Sequence, residues 1–242
     1  MAFIKIVVWE KGYISSFVFQ RMKRGFRIYL FRHGQTTYNR DKRFTGWNNA
    51  RLTEEGKRHA RLIAGKLKNK KFQVAIRTRL SRSKDTLKPV LKWHPECVNV
   101  IEDNRMIERN YGDLNGTLHE TFIERVGTRL LKLDVEGDAL ENLHPAERDR
   151  LEEFLGEEEY DLIHRGYKIP PPGGESFEMV EKRVAEFIKD LKKMMKKDKV
   201  NVAISGHGNS IRLFRKIMEN ASIKETVSWF IPYDKVFEYT IN

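Results

Sequence analysis

Five short apolar runs, spaced by polar loops and by stretches of helical periodicity, constrain this chain more than any other feature. They occupy residues 28–31, 72–76, 98–101, 200–204 and 236–241. Each has the length of a strand and falls short of a helix. Between them, apolar residues recur at helical spacing. Ala60, Ile63, Ala64 and Leu67 follow Thr53, a good N-cap with Glu54 and Glu55 in the first turn. Thr86, Leu87 and Leu91 mark a second helix, and Val180, Val184, Phe187, Ile188 and Leu191 a third, longer one. Strand alternating with helix predicts an α/β three-layer sandwich, a mainly parallel sheet flanked by helices on both faces.

Residues 117–166 break that rhythm. They are heavily charged, helical in pattern and without a convincing strand, so they read as a helical insertion over the sheet's C-terminal edge, where a lid over an active site would sit. A purely structural helical hairpin is the competing reading. Ile169 to Gly174, with three consecutive prolines, suits neither a helix nor a central strand and serves as a rigid connector. The organisation expected is a single catalytic domain over residues 26–242, preceded by an extension, residues 1–25, of uncertain status. Met22 stands just before the first clear strand and is a second candidate start, and residues 1–21 could form a hairpin around Lys11 and Gly12.

The net charge of +12 has two readings, a nucleic-acid footprint or a cationic pocket for a small polyanion. The basic residues are scattered and no aromatic-rich, base-stacking strand accompanies them, which favours the pocket over nucleic acid. One cysteine, Cys97, excludes an intramolecular disulfide and fits a reducing, cytoplasmic setting. No segment reads as a membrane span or a signal peptide. Nothing in the sequence sets the oligomeric state, and a homo-oligomer is compatible with it.

The chemistry gathers where strands end. In an open α/β sheet, ligands bind beyond the C-terminal ends of the strands. The first run ends in Arg32-His33-Gly34, the second leads to Arg82, the third to Glu108 and Arg109, and the fourth to His207-Gly208-Asn209. A guanidinium beside an imidazole suits a phosphoryl group: arginine forks two oxygens while a neutral histidine nitrogen attacks phosphorus. Two histidines, several arginines and one carboxylate are the parts for phosphoryl transfer through a phosphohistidine, with Glu108 moving the proton. The same two histidines and glutamate could instead ligate a metal, but the crowd of arginines would compete with it. No metal is therefore expected. A lone His207 would ordinarily be a satisfied core residue; its flanking glycines argue for an exposed strand end instead.

The chain resembles the histidine phosphatase superfamily, and within it the 2,3-bisphosphoglycerate-dependent phosphoglycerate mutases. The matching stretches are Arg32-His33-Gly34-Gln35 with Asn39, Phe44-Thr45-Gly46-Trp47, Leu52 to Gly56, Ser81-Arg82, Glu108 to Gly116, Ile169 to Ser176, and Gly206 to Arg212. The resemblance implies His33 as the phosphorylated nucleophile and Glu108 as proton donor and acceptor. Arg32, Arg82 and His207 would surround the transferring group. Asn39, Thr45, Gly46, Arg109, Asn110, Tyr111, Gly208 and Asn209 would line a phosphoglycerate pocket. It implies 2,3-bisphosphoglycerate as the priming cofactor, small-molecule phosphoglycerates as partners rather than nucleic acid or membrane, and a role in glycolysis and gluconeogenesis. A phosphatase of the same superfamily, with water as acceptor, is the alternative; a catalytically dead homologue is disfavoured because every phosphoryl-handling position is filled. Three departures stand out. The usual lysine after Tyr-Gly is matched by His119, the usual paired arginines before the prolines by His164-Arg165, and the usual Pro-Thr-Gly turn by Pro232-Tyr233-Asp234. Histidines titrate near neutrality, so these two would hold a far anionic group less firmly as pH rises.

Overall fold

The structure, a computed structural model, describes residues 25–134 and 143–242. The proposed hairpin near the N-terminus lies outside the described residues. Five strands form one sheet in the order β3-β2-β4-β1-β5. They are β1 (Phe26–Arg32), β2 (Val74–Arg77), β3 (Asn99–Glu102), β4 (Val202–Gly206) and β5 (Val236–Ile241). The first four run parallel, with Arg32 paired to Gly206 in register, and β5 adds antiparallel to β1. The architecture is therefore the expected α/β sandwich with a mainly parallel sheet.

Side chains alternate across the pleat and so divide between two cores. Ile28, Leu30, Val202 and Ile204 face α6 (Phe177–Asp198) and α7 (Gly208–Glu219), where Val180, Val184, Phe187 and Phe214 are fully or almost fully buried. Tyr29, Phe31, Ala75 and Ala203 face α2 (Glu54–Leu67) and α3 (Ser81–Leu91) through Ile63, Leu67, Leu87 and Val90. The caps obey the sequence: Thr53 accepts from the Gly56 amide and Ser176 from the Met179 amide.

The short α1 (Thr37–Arg40) follows β1, and α8 (Ile223–Ser228) precedes the loop to β5. Two helices, α4 (His119–Asp134) and α5 (Pro145–Arg165), pack on each other beside the C-terminal ends of the parallel strands. Phe122 and Ile163 anchor them in a small third core with Phe44, Tyr111 and Leu114. Each such buried side chain contributes about 1.5–3 kcal/mol, enough to hold the helical pair against the loops that carry the site. Among the described residues no helix is long and apolar enough to cross a membrane.

Candidate active site

The parallel pairing of β1 with β4 brings their two ends side by side, and two histidines follow from it. The His33 amide donates to Gly206 O at 3.1 Å, and the His33 and His207 ring centroids lie 5.0 Å apart. His33 Nδ1 lies 2.7 Å from Gly34 O. A carbonyl only accepts, so Nδ1 carries the proton and Nε2 keeps its lone pair. Burial, then Arg82, then Arg32 hold the His33 imidazole well below its ordinary pKa. It is therefore neutral and nucleophilic at physiological pH. Gly34 permits this packing, because a Cβ there would lie 2.1 Å from Gly56 O in the first turn of α2.

The donors around His33 are braced from behind. Arg82, fully buried on α3, donates Nη1 to Asn48 O and Nη2 to Gly46 O, both at 2.7 Å. Burial lowers its pKa to about 10, which leaves it charged at neutrality. Arg32 donates Nη1 to Ile231 O at 2.8 Å, and its guanidinium lies 4.2 Å above the centre of the Tyr233 ring. Glu108 Oε1 accepts from the Arg109 and Asn209 amides at 2.9 and 3.1 Å, which fixes the carboxyl group and leaves Oε2 for proton transfer. His207 is fully buried rather than exposed by its flanking glycines, with Nε2 2.8 Å from Thr78 Oγ1. Burial, followed by the charge of Arg82, holds this imidazole well below its ordinary pKa too.

Arg32 Nε, Arg82 Nε and His207 Nδ1 are buried with no hydrogen-bond partner among the described residues. Buried N–H groups without an acceptor are costly. Two unpartnered guanidinium N–H groups on residues that line one cavity call for an anion with several acceptor oxygens. His33, Glu108 and His207 each place one ligand atom within 4.8 Å of the others, a spacing a metal could use. Arg32 and Arg82 beside the same atoms make that space repulsive to a cation and attractive to a phosphoryl group.

These groups open onto a cavity of about 320 Å³. Arg32, His33, Arg82 and Glu108 line it, joined by Asn39, Thr45 and Gly46 from the segment after β1 and by Gly208 and Asn209 from α7. Tyr111, His119, His164 and Arg165 line the side formed by α4 and α5. Two residues expected in the pocket are placed elsewhere. Arg109 is fully buried between the Tyr111 and Phe177 rings and donates Nη2 to Ile163 O at 2.7 Å, tying down the end of α5. Asn110 Oδ1 accepts from the Gly112 amide and from Asn115 Nδ2, bracing the Tyr111 turn.

A family model, the histidine phosphatase superfamily (branch 1), matches residues 28–140 and 134–241. The chain belongs to the histidine phosphatase superfamily. Among curated relatives it is 33% identical over 190 residues to the 2,3-bisphosphoglycerate-dependent phosphoglycerate mutase of Parvibaculum lavamentivorans, covering 76% of each chain. It is 29% identical over 219 residues to the protein of the same name from Chelativorans, covering 89% of this chain and 92% of that one. Its fold is similar to that of Bacillus stearothermophilus YhfR, with a TM-score of 0.64, 20% identity and coverage of 88% and 89%. A mycobacterial glucosyl-3-phosphoglycerate phosphatase is similar at a TM-score of 0.59 and 21% identity, covering 85% and 84%.

The α4–α5 side of the pocket is aromatic. His164 stacks between Tyr160 and Tyr111, at interplanar angles of 13° and 18°, and His119 Nδ1 lies 3.1 Å from the Tyr160 hydroxyl. Burial, with Lys42 adding to it, lowers His119 to about 4. Burial and then Arg109 lower His164 to about 3. Both are neutral well below pH 7. The expectation that they lose charge on the alkaline side is therefore incorrect: packed into an aromatic stack, they have no charge there to lose.

Sequence reasoning missed Tyr38, Lys42, Arg43, Arg212 and Tyr233, all of which line the pocket. Arg212 had a readable signal. It lies three residues after Asn209 on α7, and its Nη1 donates to Asn209 Oδ1 at 2.6 Å. Tyr233 reaches Arg32 only because the loop before β5 folds back over β1, and no local pattern announces that.

Proposed function

We propose that this chain is a cytoplasmic phosphoglycerate mutase that interconverts 3-phosphoglycerate and 2-phosphoglycerate through a phosphohistidine at His33, within glycolysis and gluconeogenesis. The observation that carries this reading is one cavity lined by His33, whose Nδ1 is engaged by Gly34 O so that Nε2 keeps its lone pair, by Arg32 and Arg82, whose Nε–H groups have no acceptor among the described residues, and by Arg43, Arg165 and Arg212. A monoester phosphatase needs only the first half of that set. A mutase also needs cations that keep a second anionic group in place while the ligand turns round. The names of the relatives point the same way.

In this reading 2,3-bisphosphoglycerate would supply the first phosphoryl group, and the unpartnered guanidinium donors of Arg32 and Arg82 fit an incoming phosphate. Phospho-His33 then gives its phosphoryl group to the free hydroxyl of a phosphoglycerate. The P–N bond breaks, a P–O bond forms, and Glu108 takes the hydroxyl proton. His33 Nε2 next attacks the other phosphoryl group, its P–O bond breaks, and Glu108 returns the proton to the oxygen released. Arg32, Arg82 and the second histidine stabilise charge on the equatorial oxygens in both steps. No divalent metal enters this scheme.

Phosphomonoesterase activity of the same superfamily is the second reading, and a specific observation favours it as a side reaction. Two positions matched to a lysine and an arginine are neutral histidines, so fewer charges retain the far group. Phosphorus NMR of the purified protein with 3-phosphoglycerate, with and without 2,3-bisphosphoglycerate, tests the choice. A mutase accumulates 2-phosphoglycerate, faster with the bisphosphate present. Accumulation of inorganic phosphate alone would refute the mutase reading.

A further inference from the structure

The turn that closes α1 places a lysine in an unfavourable backbone conformation at the rim of the pocket. Lys42 has φ +49°, left-handed, directly after the helix, where glycine or asparagine is the usual occupant. Its carbonyl accepts from the His119 amide at 2.9 Å, so the turn is pinned to the start of α4. Lys42 is exposed, lines both this cavity and the adjoining groove, and lies close enough to His119 for its charge to lower that imidazole's pKa.

The other cations there are already engaged. Arg43 Nη1 donates to Gly116 O at 2.8 Å. Arg165 Nη1 donates to Val227 O at 3.0 Å, and Arg212 divides its donors between Trp229 O and Asn209 Oδ1. Among the described residues the Lys42 ammonium has no hydrogen bond and no ion pair, although Asp41 and Glu120 line the adjoining groove. An ammonium on a flexible four-carbon stem follows an anion that turns within the pocket more freely than a partly braced guanidinium does, so it adds to the arginines there.

We propose that Lys42 holds the distal anionic group of the ligand, so that this site selects phosphomonoesters bearing a second anion such as the carboxylate of a phosphoglycerate. The ligand's identity rests on the mutase reading; the role of Lys42 is stated for any ligand of that class. It does, from the segment after β1, what a cation on α4 would otherwise do.

The test is calorimetric, in a His33→Ala background so that no turnover intervenes. Two ligands of the same size are compared, 3-phosphoglycerate and glycerol 3-phosphate, which lacks the carboxylate. With Lys42 present, 3-phosphoglycerate binds about tenfold more tightly, the worth of one charge-assisted hydrogen bond. Lys42→Gly abolishes that preference, leaves glycerol 3-phosphate binding unchanged and does not lower Tm, because glycine adopts the positive φ freely. Lys42→Arg restores the preference. Equal weakening of both ligands by Lys42→Gly, a preference that survives it, or no preference with Lys42 present would each overturn the proposal. Failure of the mutase reading shows separately, as absence of 2-phosphoglycerate in the NMR experiment on the His33-intact protein.

Discussion

Replacing Thr78 by valine should slow the chemistry without weakening substrate binding. Thr78 is fully buried, and its hydroxyl is the only partner of His207 Nε2 among the described residues. If the hydroxyl donates to Nε2, the ring proton must sit on Nδ1, which then offers a donor to the phosphoryl oxygens. Valine keeps the shape of threonine and removes the hydroxyl. A buried nitrogen left without its partner costs about 1–3 kcal/mol, which predicts a Tm about 2–12 °C lower for a domain of this size. The proton can now move to Nε2, and Nδ1 would then turn a lone pair toward the phosphoryl group. Losing one preorganised oxyanion donor costs about 10²–10³ in kcat. Because the bound ligand pulls the proton back to Nδ1, a loss of about 10–100-fold is expected, with KM little changed. The assay is rapid-quench measurement of phosphohistidine formation in Thr78→Val and Thr78→Ser. Serine loses the methyl group but keeps the hydroxyl, so it should lose stability and keep its rate. A Thr78→Val rate within twofold of the parent, or an equal rate loss in Thr78→Ser, would show that this hydroxyl does not set the His207 tautomer.

Three further outcomes follow from the same geometry. His33→Ala should abolish both mutase and phosphatase turnover, since no other nucleophile is poised at the unpartnered arginine donors; substantial activity in a clean preparation removes His33 from that role. Chelation should leave the rate unchanged, and activity lost to a chelator but recovered with zinc or magnesium would mean that His33, Glu108 and His207 hold a metal. His164 should make the fold acid-labile. Its pKa falls from the ordinary 6.5 to about 3 on folding, so below pH 6.5 the unfolded chain binds a proton that the folded one refuses, and stability drops as pH falls toward 3. By pH 5 that amounts to roughly 2 kcal/mol. His164→Phe, which keeps the aromatic stack, should lose correspondingly less stability between pH 7.5 and pH 5; parallel urea-midpoint curves for the two proteins would refute the shift.

Much of this molecule was legible in one dimension because it depends on short-range rules. Apolar runs of strand length and helical periodicity identify the layers, Thr53 announces its helix start, and the end of each parallel strand is where a ligand site must form. That is why Arg32, His33, Arg82, Glu108 and His207 could be chosen before any coordinates. Ionisation and long-range approach were beyond it. His119 and His164 look like half-charged cations in a sequence, and only their burial among Phe44, Tyr111 and Tyr160 makes them neutral. Arg109 looks like a ligand contact, and only the packing of α5 turns it inward. The Lys42 carbonyl on the His119 amide, the Tyr233 ring over Arg32 and the Thr78 hydroxyl on His207 join residues far apart in the chain. Hydrophobic period and capping act over a few residues and so are written in the sequence, whereas desolvation and the pairing of distant groups arise only once the chain has closed around them.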